Sequence, residues 1–249
     1  MKLITLNTWG GRVKEFNQSF FETYSGTDIW CFQEMYHGGI SEVKISGLNA
    51  NHHLFEEIEK YLPEYKSLFC NTCGIAYGIA AFTHKNINVI ASGENLVAKG
   101  NWEDDPDLHN RDHHRKLQWL EIKIDGKKLL IVNVHLTHRP EGKGDSEKRL
   151  KQSKIIIDFL NMFDCPKILC GDFNLLPETE SIKMFENAGL KSLIKEYNIT
   201  STRTELYKKE WRFADYVFVS PGIKVKDFKV LPDIVSDHSP LYLDFDLDF

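Results

Sequence analysis

Apolar positions along this chain gather in short blocks, and most blocks have the length of a strand, not of a helix. Lys2 to Leu6 is a first apolar run, closed by Asn7, and Ile29 to Gln33 a second, closed by Glu34. Strand-like stretches follow at Tyr65 to Phe69, Ile75 to Phe82 and Ile87 to Ala91. Leu117 to Ile124 and Lys128 to Val134 flank Asp125-Gly126, a dipeptide suited to the positive φ of a tight hairpin turn, and the second arm ends at His135. Lys167 to Cys170, Ala214 to Val219, Lys224 to Val230 and Leu241 to Phe245 complete the strands. Helical spacing is rarer. Phe16 to Tyr24 predicts a short helix, and Asn51 caps another that runs through Leu62 to a stop at Pro63. Asp145 to Phe163 is amphipathic, with Leu150, Ser153, Ile156, Ile157, Leu160 and Phe163 on one side. Glu180 to Ala188 predicts a last helix, ended by Gly189.

Strands outnumber helices, and helices separate only some of them. That pattern implies mixed sheets, and two packed sheets with helices outside suit the proportions. No repeat, low-complexity tract or linker divides residues 1–249, so a single domain is expected. Gly100 to Arg115 is too rich in charge and turn formers to be core. Polar, ionisable residues stand where the apolar runs stop: Asn7, Glu34, His135, Asp172 with Asn174, and Asp237 with His238. Asp215 sits one residue inside its strand. Strands fix the geometry of such groups while loops keep them wet, which suits hydrolysis at a phosphate.

Composition sets outer limits. Hydrophobic residues at 42% and charged residues at 27% describe an ordinary soluble globular chain with a sizeable core. A net charge of −5 argues against indiscriminate coating of nucleic acid. Local basic stretches, Arg111 to Lys116, Lys143 to Lys154, and Lys208-Lys209 with Arg212, permit a nucleic-acid substrate without requiring one. The apolar start is too short for a signal peptide, and no run is long enough to cross a bilayer. Five cysteines without framework spacing are expected to be free thiols, Cys70-Asn71-Thr72-Cys73 included, since no second pair follows to make a zinc site. A cytoplasmic monomer with no membrane association and no obligate protein partner is the expectation.

Six segments, in this order, resemble the endonuclease/exonuclease/phosphatase superfamily of metal-dependent phosphohydrolases related to deoxyribonuclease I. They are Leu6-Asn7-Thr8-Trp9, Phe32-Gln33-Glu34, Asn133-Val134-His135-Leu136, Gly171-Asp172-Phe173-Asn174, Ala214-Asp215-Tyr216-Val217 and Ser236-Asp237-His238-Ser239-Pro240. Each alone arises readily by chance; all six, each beside a strand and together spanning nearly the whole chain, do not. The resemblance implies a four-layer α/β sandwich, two mixed sheets face to face with helices on both outer sides.

It also implies roles. Glu34 would be the principal metal ligand, with Asn7 on the metal or phosphate side and Asp237 ligating or supporting the metal. Oxygen ligands select Mg²⁺ or Mn²⁺. Asp172 would orient or deprotonate the attacking water, and Asn174 would hydrogen-bond a phosphate oxygen, the two pointing the same way if the chain stays extended. The pair also reads as an Asx-turn closing the strand, and the two readings can hold together. His238, its tautomer fixed by Asp215, would stabilise negative charge and supply a proton. His135 replaces the tyrosine of the exonuclease III and abasic-site endonuclease branch, which puts abasic-site repair in doubt and points to the deoxyribonuclease I, sphingomyelinase, deadenylase and tyrosyl-DNA phosphodiesterase 2 branches. His138 reads as an exposed loop residue, and Arg115 and Arg149 as candidate donors to substrate phosphates.

The resulting expectation is Mg²⁺-dependent phosphodiester hydrolysis in nucleic acid or a nucleotide-like substrate. A phosphatase acting on inositol phosphates or lipids is the first alternative, although Glu210-Trp211-Arg212-Phe213-Ala214-Asp215 matches the inositol branch only in part. A catalytically dead scaffold is the alternative from another class; it would have lost Glu34, Asp172 or His238, and all three are present.

Overall fold

Successive residues of the first strand, β1 (Lys2–Asn7), face opposite ways, and so do those of the second, β2 (Ile29–Tyr36). Ile4, Leu6, Trp30 and Phe32 look outward and pack on Phe20 and Phe21 of α1 (Gln18–Thr23) and on Leu54, Phe55 and Ile58 of α2 (Leu54–Tyr61). Leu3, Ile29 and Cys31 look inward and join the core shared with the second sheet. Each large side chain so buried contributes roughly 1.5–3 kcal/mol. The structure, a computed structural model, describes residues 1–39, 49–73, 76–100, 113–138 and 142–248. Most of the polar loop expected after Gly100 falls outside them, as does Ile75.

The remaining elements are β3 (Tyr65–Cys73), β4 (Tyr77–His84), β5 (Asn88–Ala98), β6 (Arg115–Ile124), β7 (Lys127–His135), α3 (Glu147–Leu160), β8 (Lys167–Asp172), α4 (Glu180–Asn187), β9 (Lys191–Ser192), α5 (Leu193–Glu196), β10 (Asp215–Val219), β11 (Ile223–Val230) and β12 (Leu241–Leu247). Two six-stranded sheets result, ordered β11-β12-β1-β2-β4-β3 and β5-β6-β7-β8-β10-β9. Only β1 with β2 and β7 with β8 run parallel; the other pairs are antiparallel, so both sheets are mixed as expected. Ile156, Phe159 and Leu160 of α3, Ile182 and Phe185 of α4, and Leu193 and Ile194 of α5 belong to the core on the second sheet's side. The two sheets and their outer helices make the four expected layers. No helix among the described residues is long and apolar enough to cross a membrane.

Several boundaries differ from the sequence reading, each for a local reason. Asn51 accepts from the His53 N–H and leaves the capping position to His53, so α2 starts later. Ser146, accepting from the Arg149 N–H, caps α3, so the helix starts at Glu147 and not at Asp145. Arg115 is the first residue of β6, not part of a loop, and Asp215 opens β10 instead of lying inside it. The buried face of α3 is centred on Arg149, Gln152, Ser153, Ile156, Phe159 and Leu160, rotated from the predicted one, so that Leu150 and Ile157 are only half-buried. Arg149 and Gln152 turn inward because loop backbone needs their hydrogen bonds, which hydrophobic periodicity does not register.

Candidate active site

The two parallel pairs bring four polar strand ends to one edge of the sandwich. Asn7 pairs in register with Gln33, His135 with Asp172, and Asp172 with Asp215 on its other side. Close approach is built in at Gly171: its φ is +130°, and a Cβ there would stand 2.1 Å from the Val134 carbonyl oxygen. Glu34 reaches the same place by a different route. Between Phe32 and Met35 the register against β4 slips by a bulge, and Glu34 adopts φ 54°. β2 therefore does not stop at Glu34 but continues to Tyr36, with the bulge re-aiming the carboxylate. Thr8 pins the bulge, its Oγ1 donating to the Gln33 and Glu34 carbonyls at 3.0 Å each.

The side chains converge. Ligand atoms of Glu34, His135 and Asp172 lie within 4.8 Å of one another, as do those of Asp172, Asp215 and His238. Asp172 is shared by both groups: its Oδ2 is 3.7 Å from His135 Nε2 and 3.7 Å from His238 Nε2. His238 Nδ1 donates to Asp215 at 2.8 Å, and Thr202 Oγ1 donates to the same carboxylate. That pair fixes the tautomer of His238 and turns Nε2 toward Asp172. Burial and Arg203 work against protonation of His238, but Asp215, Asp237 and Asp172 outweigh them and its pKa moves up. His135 moves the other way, held neutral by burial and the nearby Arg115.

Burial alone would push the Asp172 carboxyl up, yet His238, Lys143, His135 and Arg203 hold it far below the usual carboxylate range. Glu34 is raised, by burial first and then by Asp237 and Asp172, against the pull of His238 and Asn7. Asp237 Oδ2 accepts from Arg203 Nη1 at 3.0 Å, whereas its Oδ1 is buried and accepts no hydrogen bond among the described residues. A raised glutamate beside an orphaned carboxylate oxygen is a donor set lacking positive charge, and its hard oxygens fit a divalent cation. Asn7, expected on the metal or phosphate side, lies against the two carboxylates. Its Oδ1 accepts from the Trp9 N–H, and its Nδ2 donates to Glu34 at 3.1 Å and Asp172 at 2.8 Å, so it holds the carboxylates in place.

Asn174 does not continue an extended chain. Its φ is 56°, and its N–H donates to Asp172 Oδ1 at 2.8 Å, so the Asx-turn is what closes β8. Its Oδ1 accepts from Lys143 Nζ and lies 3.1 Å from His138 Nδ1; its Nδ2 donates to the Leu136 carbonyl. His138 is thus part of the cleft wall, not an exposed loop residue, and burial and Lys143 lower its pKa to about 4. Lys143 is itself buried, and that burial lowers its pKa to about 8. Arg149 is no phosphate donor. It is 1% exposed, and its guanidinium is spent on the carbonyls of Thr137, His138, Gly142 and Gly144, which shape the turn carrying His138 and Lys143.

Around this centre lies a cleft of about 550 Å³ whose wall includes Trp9, Arg12, Arg115, Arg203, Tyr207 and Lys208. Lys208 and Lys209 come from a basic stretch visible in the sequence. Lys143 and Arg203 are the functional candidates that sequence reasoning misses. Gly142-Lys143-Gly144 is an undistinguished loop, and the partner of Arg203, Asp237, lies far along the chain.

Known proteins share this frame. A UPF0294 protein of Yersinia enterocolitica is 31% identical over 124 residues, covering 49% of this chain and 44% of that protein, so the match spans less than half the relative's length. An endonuclease/exonuclease/phosphatase from Bacteroides vulgatus superposes with a TM-score of 0.74 at 21% identity, over 99% of this chain and 98% of that one. A mannosyl-6-phosphatase of Bacteroides thetaiotaomicron does so with a TM-score of 0.75 at 18% identity, over 99% of this chain and 100% of that one. Identities this low establish the shared fold alone. The family described as Endonuclease/Exonuclease/phosphatase matches residues 4–238, which takes in Asn7, Glu34, His135, Asp172, Asp215 and His238 in their order along the chain. With strand ends, bulge and register all delivering those six side chains to one cluster, the chain belongs to the endonuclease/exonuclease/phosphatase family.

Proposed function

We propose that this chain hydrolyses phosphodiester bonds, in nucleic acid or a nucleotide-like substrate, with Mg²⁺ or Mn²⁺ held by Glu34 and Asp237. One observation carries the reading: an orphaned, buried Asp237 oxygen beside the Glu34, Asp172, His135 and His238 cluster in a cleft open to solvent. The cation, when bound, would polarise the phosphate and offset charge building on its oxygens.

The protein groups do the rest. Asp172, held ionised, orients the attacking water through Oδ2 and takes its proton as the new P–O bond forms. A carboxylate so far below its usual range is a weak base, so orientation is its larger contribution. His238, kept cationic by its carboxylate neighbours, donates from Nε2 to the phosphate and gives its proton to the departing oxygen. Neutral His135 donates one hydrogen bond without adding charge. Asn174, one amide N–H already on Leu136, has a second N–H for a non-bridging oxygen. Arg12, Arg203, Lys208 and Lys209 in the cleft wall favour a polyanion over a neutral or singly charged ester.

Bis-p-nitrophenyl phosphate with Mg²⁺ tests this directly. The expected result is turnover that EDTA abolishes, and a loss of about 10²–10³-fold in Asp172→Ala, Glu34→Gln and His238→Ala with far-UV circular dichroism unchanged. The fold shared with a mannosyl-6-phosphatase makes a monoesterase the competing reading. Turnover of p-nitrophenyl phosphate alone would establish that reading in place of ours, and no turnover of either ester would leave a binding domain.

A further inference from the structure

Among the described residues, nothing balances the buried positive charge of Arg115. It is 6% exposed, yet among the described residues its guanidinium meets no carboxylate, carbonyl or ring face, and its Nε is buried without a partner. The other two arginines of the cleft wall are engaged. Arg12 lies over the Trp9 ring at 4.9 Å, and Arg203 bonds Asp237 and lies over the Tyr207 ring at 4.1 Å. Burying an unpaired charge is costly, and such a group persists where a ligand brings the counter-charge.

It stands in the cleft wall on the side of His135 and Tyr77, both of which feel its charge. There the Tyr77 ring lies 5.0 Å from the His113 ring and 5.1 Å from that of Tyr36, a wall of planar groups beside the guanidinium. A cation next to aromatic faces is how a nucleotide strand is gripped, the phosphate by charge and the base by stacking.

We infer that Arg115 anchors a second phosphate subsite, one position along the substrate from the phosphate that reacts. The substrate then carries consecutive phosphates spaced by nucleosides, a nucleic-acid strand and not a lone phosphate ester. This rests on the phosphodiesterase reading of the same cleft.

The test is binding of a short oligothymidylate in EDTA, where no cleavage occurs, followed by tryptophan fluorescence through a salt series. Arg115→Gln is expected to bind about tenfold more weakly. The slope of log Kd against log salt should become shallower by about 0.7, the value for one single-strand phosphate contact. Arg115→Lys keeps the charge and should keep most of the slope. Unaltered affinity and slope in Arg115→Gln overturn the subsite, as does an Arg115→Lys protein that loses the slope equally. Thermal melting excludes a merely structural arginine: Arg115→Met, relieved of an uncompensated charge, should melt higher by about 2–4 °C. A lower melting temperature overturns the inference. Bis-p-nitrophenyl phosphate turnover by the unaltered protein is read separately, so the subsite can fail while the hydrolase stands.

Discussion

Lys143 shows how much one side chain, read from sequence only as the start of a basic stretch, can decide. It is 2% exposed, and its ammonium group donates to Asn174, the residue that also caps Asp172 through its backbone. Burial lowers its pKa from 10.5 to about 8. The unfolded chain therefore binds this proton before the folded one as pH falls, so stability is lost from about pH 10.5 down to about 8 and the loss is complete below that. Lys143→Met lacks the penalty. Urea unfolding of both proteins should show the variant gaining on the wild type by about 3 kcal/mol across that window, and a pH-independent difference would refute the shifted lysine. At the same scale, sequence legibility follows a simple physical line. Asp172, His135 and His238 are readable because each ends or follows an apolar run, and that break is local. Lys143 and Arg203 are unreadable because what distinguishes them is a partner, Asn174 or Asp237, more than thirty residues away.

Elements place these residues, and two of them do so by departing from regular structure. The β2 bulge turns Glu34 into the cleft at the cost of a left-handed backbone, and sequence shows the strand but not the extra residue. Between β7 and α3, Arg149 ties down the carbonyls of Thr137, His138, Gly142 and Gly144. Arg149→Met should leave the buried Thr137 carbonyl without its donor and release the other three. We expect a loss of about 1–3 kcal/mol in urea unfolding, the cost of one buried unsatisfied group. Hydrolysis should fall with it, since His138 and Lys143 ride on the same turn. A variant with wild-type stability would return Arg149 to the surface role that its charge alone suggests. Hydrophobic periodicity locates α3 well but misplaces its buried face, because the inward positions Arg149 and Gln152 are polar.

Across the whole molecule, the sheets are joined beneath the cleft by polar groups as well as by apolar ones. Gln33 of β2 donates to Asn133 of β7 at 2.7 Å, and Asn133 donates to the Phe32 and Ala80 carbonyls and to Gln118. These bonds sit one residue before Glu34 and two before His135, so they set the spacing between the two halves of the cluster. Asn133→Leu should lower stability by about 2 kcal/mol and depress turnover while Kd for the oligothymidylate stays near the wild-type value. Turnover at the wild-type rate would remove that spacing role. The layered architecture is legible from the ratio of strands to helices, whereas the order of strands within each sheet is not. β1 lies between β12 and β2, a pairing of chain ends that no window of neighbouring residues contains.

That last pairing has a consequence for how the protein is made. β1 waits for β12 before its sheet can close, since the two are hydrogen-bonded neighbours far apart along the chain. Vectorial synthesis thus holds the cluster half-built, since Asn7 is translated well before His238. Chains released before His238 is made consequently lack the complete side-chain cluster.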